Sequence, residues 1–363
     1  MVENMSGTKP CSRNMRRADS PARIVRSFCF ALAMGIFIET WRTSAGNTRA
    51  IASRHNIECV GSRGVVFLST PQRLAAQKRR VGLLPLNLYL NLAARGAPIM
   101  TETVEQLSFL QLVLACGAVL GGLMVILAAA GFVLERKFGE TRRVWAIPLA
   151  DGQLRWELIG NVRFLLMGAF AFAALLQAVP FAEESASSIA ITFGFCWFGF
   201  EVYYWGLHRA MHLPPFYRFH RYHHDSRVTT PLTGYSMSTV ESTGWLVGLT
   251  AVPFLLTLMT PLSLTGFLLY HALYQVPGNI IGHANMDFFP AAAHKRMNSW
   301  ISHPTVYHAL HHARFNNHYS FGSSFMDRLL GTEWADWPEL HERVINGEPM
   351  CKLSARGAEG TTN

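Results

Sequence analysis

The chain has 363 residues, half of them hydrophobic and only 15% charged, with a formal net charge of +9. That charge is local. Residues 1–99 carry 15 Lys/Arg against 4 Asp/Glu and residues 100–363 carry 17 against 19, so nothing points to a nucleic-acid partner of the folded part.

The first 99 residues are Arg- and Ser-rich and lack sustained periodicity. A twelve-residue apolar run, Ser27–Ile38, follows Arg23 and Arg26, resembling a signal-peptide core that begins too deep and lacks a convincing cleavage site. Three readings stay open for this segment: an over-extended start with Met100 as initiator, a disordered or targeting extension, or an additional membrane or interfacial segment.

From Met100 the chain reads Thr-Glu-Thr-Val-Glu and enters a series of long apolar stretches. About 20 apolar residues span a bilayer. Leu107–Leu134, Phe164–Ala182 and Ile189–Leu207 meet that length, and the third delivers the chain directly to His208. Trp245–Thr260 and Leu262–Ile281 are shorter, separated only by Pro261, and read as a helical hairpin. Two crossings between His208 and His283 put the histidine-rich stretches on one face. The loop after the first span holds Arg136, Lys137, Arg142, Arg143, Arg155 and Arg163, whereas the next loop holds Glu183 and Glu184 and no Lys or Arg. The positive-inside bias therefore predicts a cytoplasmic histidine face.

The six cysteines, Cys11, Cys29, Cys59, Cys116, Cys196 and Cys351, form no CxxC pair, which argues against a disulfide framework or a thiolate zinc site. Histidine is different. Five fall within seventeen residues, as His208-Arg-Ala-Met-His212 and His220-Arg-Tyr-His223-His224, and the pattern returns as His308-Ala-Leu-His311-His312. Spacings of i, i+3 and i+4 place each set on one helix face. Thirteen of the fifteen histidines lie between His208 and His318. Imidazole ligates iron, zinc, copper and nickel, so the boxes point to a metal centre.

These boxes, the Asn279-Ile-Ile-Gly-His283 stretch and the tail Gly322…Met326-Asp327-Arg-Leu-Leu-Gly331-Thr332 resemble the fatty acid hydroxylase/sterol desaturase superfamily of membrane di-iron oxygenases. The resemblance covers about Ala190 to Trp334. It implies two iron ions that activate O₂ against an unactivated C–H bond, with His208, His212, His220, His223, His224, His283, His308, His311 and His312 as ligands. Nine imidazoles exceed one metal's needs, whereas a zinc hydrolase needs about three. Some relatives carry a further histidine where this chain has Asp287, which is a ligand, an acceptor orienting an imidazole, or neither. The family's Asn-Tyr-Gly after the last box appears here as Ser320-Phe321-Gly322.

His303 is a reserve ligand. Glu201, Asp225, Glu241 and Asp327 lie near the boxes in sequence, and Asp225, directly after His224, is the first choice for orienting an imidazole, with a surface acid as the alternative. His271 lies inside the fifth span as a functional group or a packing contact, and His294 and His341 read as solvated. No GxGxxG, P-loop or GxSxG occurs, and His303-Pro304-Thr-Val departs from the haem motif of a fused cytochrome b5 domain. Electrons must then come from a separate ferredoxin, cytochrome b5-like protein or reductase.

The expected fold is an all-α, multi-pass integral membrane protein with four or five membrane-embedded helices and a cytoplasmic helical cap. Its parts are an N-terminal segment (1–99), N-terminal spans with a basic loop (100–188), a catalytic domain (189–335) and a tail (336–363). The expected reaction is O₂-dependent hydroxylation of a membrane lipid: an acyl chain, a sterol- or hopanoid-like ring, or an aminolipid head group. Desaturation is the nearest rival. A histidine-rich metal transporter and a metal-stapled structural protein are the readings from other classes.

Overall fold

A computed structural model describes residues 100–290 and 300–357. The readings made for residues 1–99 and for His294 lie outside the described residues. Where the chain is described it is helical, and strand pairing is limited to isolated bridges.

Among the described residues, four helices are long and apolar enough to cross a membrane: α1 (Phe109–Arg142), α2 (Gln153–Ala178), α3 (Ala186–Met211) and the first eighteen residues of α5 (Thr239–Thr257). Serine side chains start three of them. Ser108 and Ser185 form capping boxes with Gln111 and Ser188, and Ser238 accepts from the Glu241 amide, each satisfying an amide that has no partner in the first turn. The fifth apolar stretch is continuous helix over 264–283. It is built from α6 (Leu264–Tyr270), a π turn (His271–Gln275) and α7 (Val276–His283).

The helices overrun the apolar stretches read from the sequence. α1 has 34 residues, about 51 Å at 1.5 Å per residue against a hydrocarbon core of about 30 Å. Its charged end, from Glu135 onward, therefore projects beyond the apolar zone. α3 continues to Met211, so His208 lies in its last turn.

The bundle forms by close helix contact. α1 packs on α2, α3 packs on α5 and α6, and α2 packs on α5. Small residues permit this approach. A Cβ on Gly266 would sit 2.6 Å from the Ile189 carbonyl oxygen, and one on Gly248 would sit 2.2 Å from the Tyr203 ring. Aromatic and aliphatic side chains such as Phe164, Phe200, Tyr204, Trp245 and Phe267 fill the interior.

The two turns away from the histidines are tied together. Phe181 bridges Leu262, and the Glu184 carboxylate accepts from Ser263 Oγ (2.6 Å) and the Thr265 amide (3.0 Å). α5 thus leads away from the histidine end and 264–283 leads back to it, the even crossing that the spacing of the boxes requires.

The histidine end carries a separate core. Val144, Trp145, Val306, Tyr307, Leu310, Trp337, Leu340, Val344 and Met350 are buried together. They come from the α1–α2 loop, α8 (Thr305–Arg314) and α10 (Trp337–Ile345). The stretch from 336 onward, read as a tail, thus supplies a helix and Met350 to this cap. Between the two cores lie α4 (Pro214–His224) and the short α9 (Phe325–Leu329).

Candidate metal centre

The four histidine-bearing segments meet where the bundle joins the cap. His208 occupies the last turn of α3 and His212 its C-cap. Leu213 and two prolines then break the chain, and α4 begins with proline in its first turn, where a missing amide costs nothing. His220, His223 and His224 form its buried face. His283 closes α7, and His308, His311 and His312 lie on α8.

The nine imidazoles fall into two groups: His208, His212, His220, His224 and His311; and His223, His283, His308 and His312. Within each group the candidate ligand atoms lie within 4.8 Å of one another. Helical geometry makes the division. At about 100° per residue, positions i and i+4 diverge by about 40°, whereas i+3 and i+4 diverge by about 100°. On α4 the i, i+4 pair His220/His224 faces the first group and His223 the second. On α8 the pair His308/His312 faces the second group and His311 the first. The groups adjoin, with the His224 and His312 ring centroids 4.7 Å apart.

Hydrogen bonds set which nitrogen faces inward. The Nδ1 of His208 lies 2.8 Å from the Tyr319 carbonyl, that of His283 2.6 Å from the Asn279 carbonyl, and that of His311 2.7 Å from the Asn317 carbonyl. His312 Nδ1 meets the Ser226 carbonyl at 3.1 Å and His223 Nδ1 the Ser236 carbonyl at 3.3 Å. His220 Nδ1 meets the Glu241 carboxylate at 2.7 Å. A carbonyl oxygen can only accept, so the five Nδ1 atoms that meet carbonyls carry the proton and their Nε2 atoms present a lone pair, and an ionised Glu241 sets the same tautomer in His220.

With Glu241 ionised, His208 Nε2 and His220 Nε2 face each other at 3.1 Å as two acceptors. Such a contact is repulsive unless a cation or a proton lies between. The Nε2 atoms of His212 and His224, of His224 and His311, and of His283 and His308 approach to between 3.0 and 3.2 Å. His312 Nε2 is buried with no hydrogen-bond partner. This donor set fits metal ions.

Burial favours the neutral form. It holds His223 at about 4 and His311 at about 3. His220, His224, His308 and His312 are pushed well below the ordinary histidine value by burial, reinforced by neighbouring imidazoles. All six are therefore unprotonated at neutral pH, the state a ligand requires.

The other candidates sit elsewhere. Asp225 is exposed and pairs loosely with Arg221 at 3.7 Å. Among the described residues, the buried carboxylate that meets an imidazole of either group is Glu241, in the first turn of α5, seventeen residues from the nearest box in sequence. Asp287 accepts from the amides of Phe289 (2.8 Å) and Val306 (3.0 Å), which anchors the start of α8, and lies 3.3 Å from His341 Nε2. His341 is thus buried in the cap rather than solvated.

Asp327 gathers Trp205 Nε1, the Tyr319 and Ser320 amides, Thr332 Oγ1 and Tyr307 OH within 3.1 Å. It acts at one remove, by placing Tyr319, whose carbonyl holds His208. His303 stacks on Tyr307, with Nε2 at 3.0 Å from the Phe321 carbonyl, and belongs to neither group. His271 sits in the π turn among Phe172, Phe267 and Tyr270, its Nδ1 3.3 Å from Gln275 Oε1.

Residues 193–332 match the fatty acid hydroxylase family. Among curated proteins, the chain is 32% identical over 153 residues to very-long-chain aldehyde decarbonylase GL1-6 of Oryza sativa subsp. indica, covering 40% of this chain and 23% of that protein. It is 30% identical over 151 residues to very-long-chain aldehyde decarbonylase CER1 of Arabidopsis thaliana, covering 40% and 23%. It is 31% identical over 150 residues to very-long-chain aldehyde decarbonylase GL1-4 of Oryza sativa subsp. japonica, covering 40% and 24%. The chain thus spans about a quarter of the length of these relatives. No solved structure matches. The matched family and the relatives agree with the histidine boxes: residues 193–332 are similar to the fatty acid hydroxylase family.

Proposed function

We propose that this chain is a lipid-modifying oxidoreductase holding two iron ions, one in each histidine group, and that it hydroxylates an unactivated C–H bond of a membrane lipid with O₂. The observation that carries this reading is the five-plus-four division of nine imidazoles in adjoining groups. Two ions so held supply O₂ activation. His208, His212, His220, His224 and His311 would hold one, and His223, His283, His308 and His312 the other.

The protein's own contribution is orientation and exclusion. Glu241 and the carbonyls of Tyr319, Asn279, Asn317, Ser226 and Ser236 hold the Nδ1 protons and aim the rings. Tyr204, Trp245 and Phe321 pack below His208 and keep water from the bundle side. The balanced reaction is C–H + O₂ + 2e⁻ + 2H⁺ → C–OH + H₂O. A separate ferredoxin, cytochrome b5-like protein or reductase would supply the two electrons. The basic residues at the facing ends of α1 and α2, Arg136, Lys137, Arg142, Arg143, Arg155 and Arg163, support a cytoplasmic histidine face.

A second reading follows from the relatives' names: the substrate is a very-long-chain aldehyde. Desaturation is the third. Transport fits less well, since the histidine groups lie at helix ends and, among the described residues, His271 alone lies in the middle of an apolar helical stretch, 264–283. The expected result is about two irons per purified chain. Lipids of expressing cells under ¹⁸O₂ should contain labelled hydroxylated product. Loss of two hydrogens without label would instead mean desaturation, and a shortened hydrocarbon from supplied aldehyde would favour the second reading. Well under one iron per chain in active protein would refute the di-iron assignment.

A further inference from the structure

The helix that carries the second histidine box has two chemically opposite faces. His220, His223 and His224 point inward, while Arg218 and Arg221 are exposed on the outer face, with Arg227 exposed just beyond the helix. These three arginines line a depression of about 710 Å³ together with His212, His224, Tyr217, Phe315 and Asn316. His212 and His224 are members of the five-histidine group. The depression therefore leads from the protein surface to imidazoles of the candidate centre.

The charge there is unbalanced. Against three arginines stands Asp225, the partner of Arg221 at 3.7 Å, which leaves a net charge of +2. Among the described residues neither Arg218 nor Arg227 pairs with a carboxylate. Their guanidinium groups lie over the rings of Phe219 and Phe315, at 4.6 Å and 4.7 Å. A small anion would be gripped by buried donors, whereas these three side chains are exposed and spread around a rim. Exposed charges around an opening suit a broad surface of opposite sign, where they speed association and set orientation.

The chain at the rim is also held in an unusual conformation. Phe315, Asn317 and His318 all have positive φ, at 69°, 65° and 55°, which non-glycine residues rarely adopt. This bend turns the Asn317 carbonyl onto His311 Nδ1 and places the Phe315 ring 5.2 Å from that of His224. Backbone strain collects where a site must be shaped.

We propose that the Arg218–Arg221–Arg227 rim is the docking surface for an acidic one-electron carrier protein. The inference rests on the oxygenase reading above, since only a redox reaction calls for such a partner. Each docking delivers one electron past His212 and His224, and two successive dockings supply the two electrons that each O₂ consumes.

The test uses the full chain in nanodiscs with an acidic [2Fe–2S] ferredoxin and, separately, a soluble cytochrome b5 domain as probes. Binding to the immobilised protein is measured against ionic strength, and carrier oxidation is followed by stopped flow. Wild-type protein should bind at least one carrier, with affinity falling as salt rises. The triple variant Arg218→Glu/Arg221→Glu/Arg227→Glu should lose about tenfold or more in association rate and most of the salt dependence. It should retain wild-type iron content and dithionite-driven turnover. Unchanged carrier binding in the variant overturns the proposal, as does a wild type that binds neither carrier. Loss of binding to phosphatidylglycerol vesicles with carrier binding intact also overturns it and assigns the arginines to the membrane surface. Lipid oxidation with no effect of charge reversal removes the docking site and leaves the oxygenase reading. Salt-sensitive carrier binding with no oxidised lipid removes the specific reaction instead.

Discussion

At the scale of single residues, the site is organised by what stands behind each imidazole. Glu241 reaches His220 across 2.7 Å in full burial. Asp225, one residue from a box, points to solvent. Adjacency in sequence is a poor guide here because the residue after the box turns off the helix, whereas Glu241 arrives from the next span. Partners behind metal-binding histidines are worth about 10–100-fold in affinity or activity. Glu241→Ala is therefore expected to lower iron affinity and turnover by about that factor, and Glu241→Gln, which can still accept from Nδ1, by less. Metal titration against a competing chelator measures both, and an Ala variant with wild-type affinity would remove Glu241 from the site. The remaining five acceptors are backbone carbonyls, which any residue type supplies and no sequence pattern marks.

At the scale of elements, α4 and α8 do the same work with opposite assignment. Each sends its i, i+4 pair to one histidine group and its i+3 member to the other. His223 and His220 share a helix, yet their substitutions should deplete different metal positions. His223→Ala is expected to reduce iron from about two to about one per chain and to abolish lipid oxidation, with the bundle intact by circular dichroism. Loss of both irons at once would mean that the two groups do not bind independently. The divergence follows from helical periodicity, but the HxxHH spacing reads at first as one face, and which group each side chain joins is not in the spacing at all. That depends on how α4 and α8 face each other. The span boundaries moved for a related reason. Hydropathy marks the apolar part of a helix, whereas hydrogen bonding continues it into the cap, as it does for α1 through Arg142.

At the scale of the whole molecule, the metal-free protein carries a latent acid sensitivity. Burial holds His223 at about 4 and His311 at about 3, below the value of about 6.5 that each has when unfolded. Above pH 6.5 neither state is protonated and these groups impose no pH dependence. Below it the unfolded chain takes up protons that the folded chain refuses, so stability falls as pH drops towards 4. Each of the two histidines costs about 2 kcal/mol by pH 5, at about 1.4 kcal/mol per pH unit. Thermal unfolding of chelator-treated protein should move to lower temperature between pH 7.5 and pH 5, and bound metal should blunt the effect. A midpoint that does not move would contradict the burial of neutral imidazoles.

The sequence by itself determined the all-helical membrane architecture, the histidine chemistry and the return of the chain to one end after two crossings. Apolar length and helical spacing are local properties that need no knowledge of neighbours. Only the tertiary structure decided the five-plus-four partition, the choice of Glu241 over Asp225, the burial of His341 beside Asp287, and the arginine-rimmed opening above His212 and His224. Each of these depends on groups far apart in the chain, and only the packing of bundle against cap brings them within hydrogen-bonding or ligand distance.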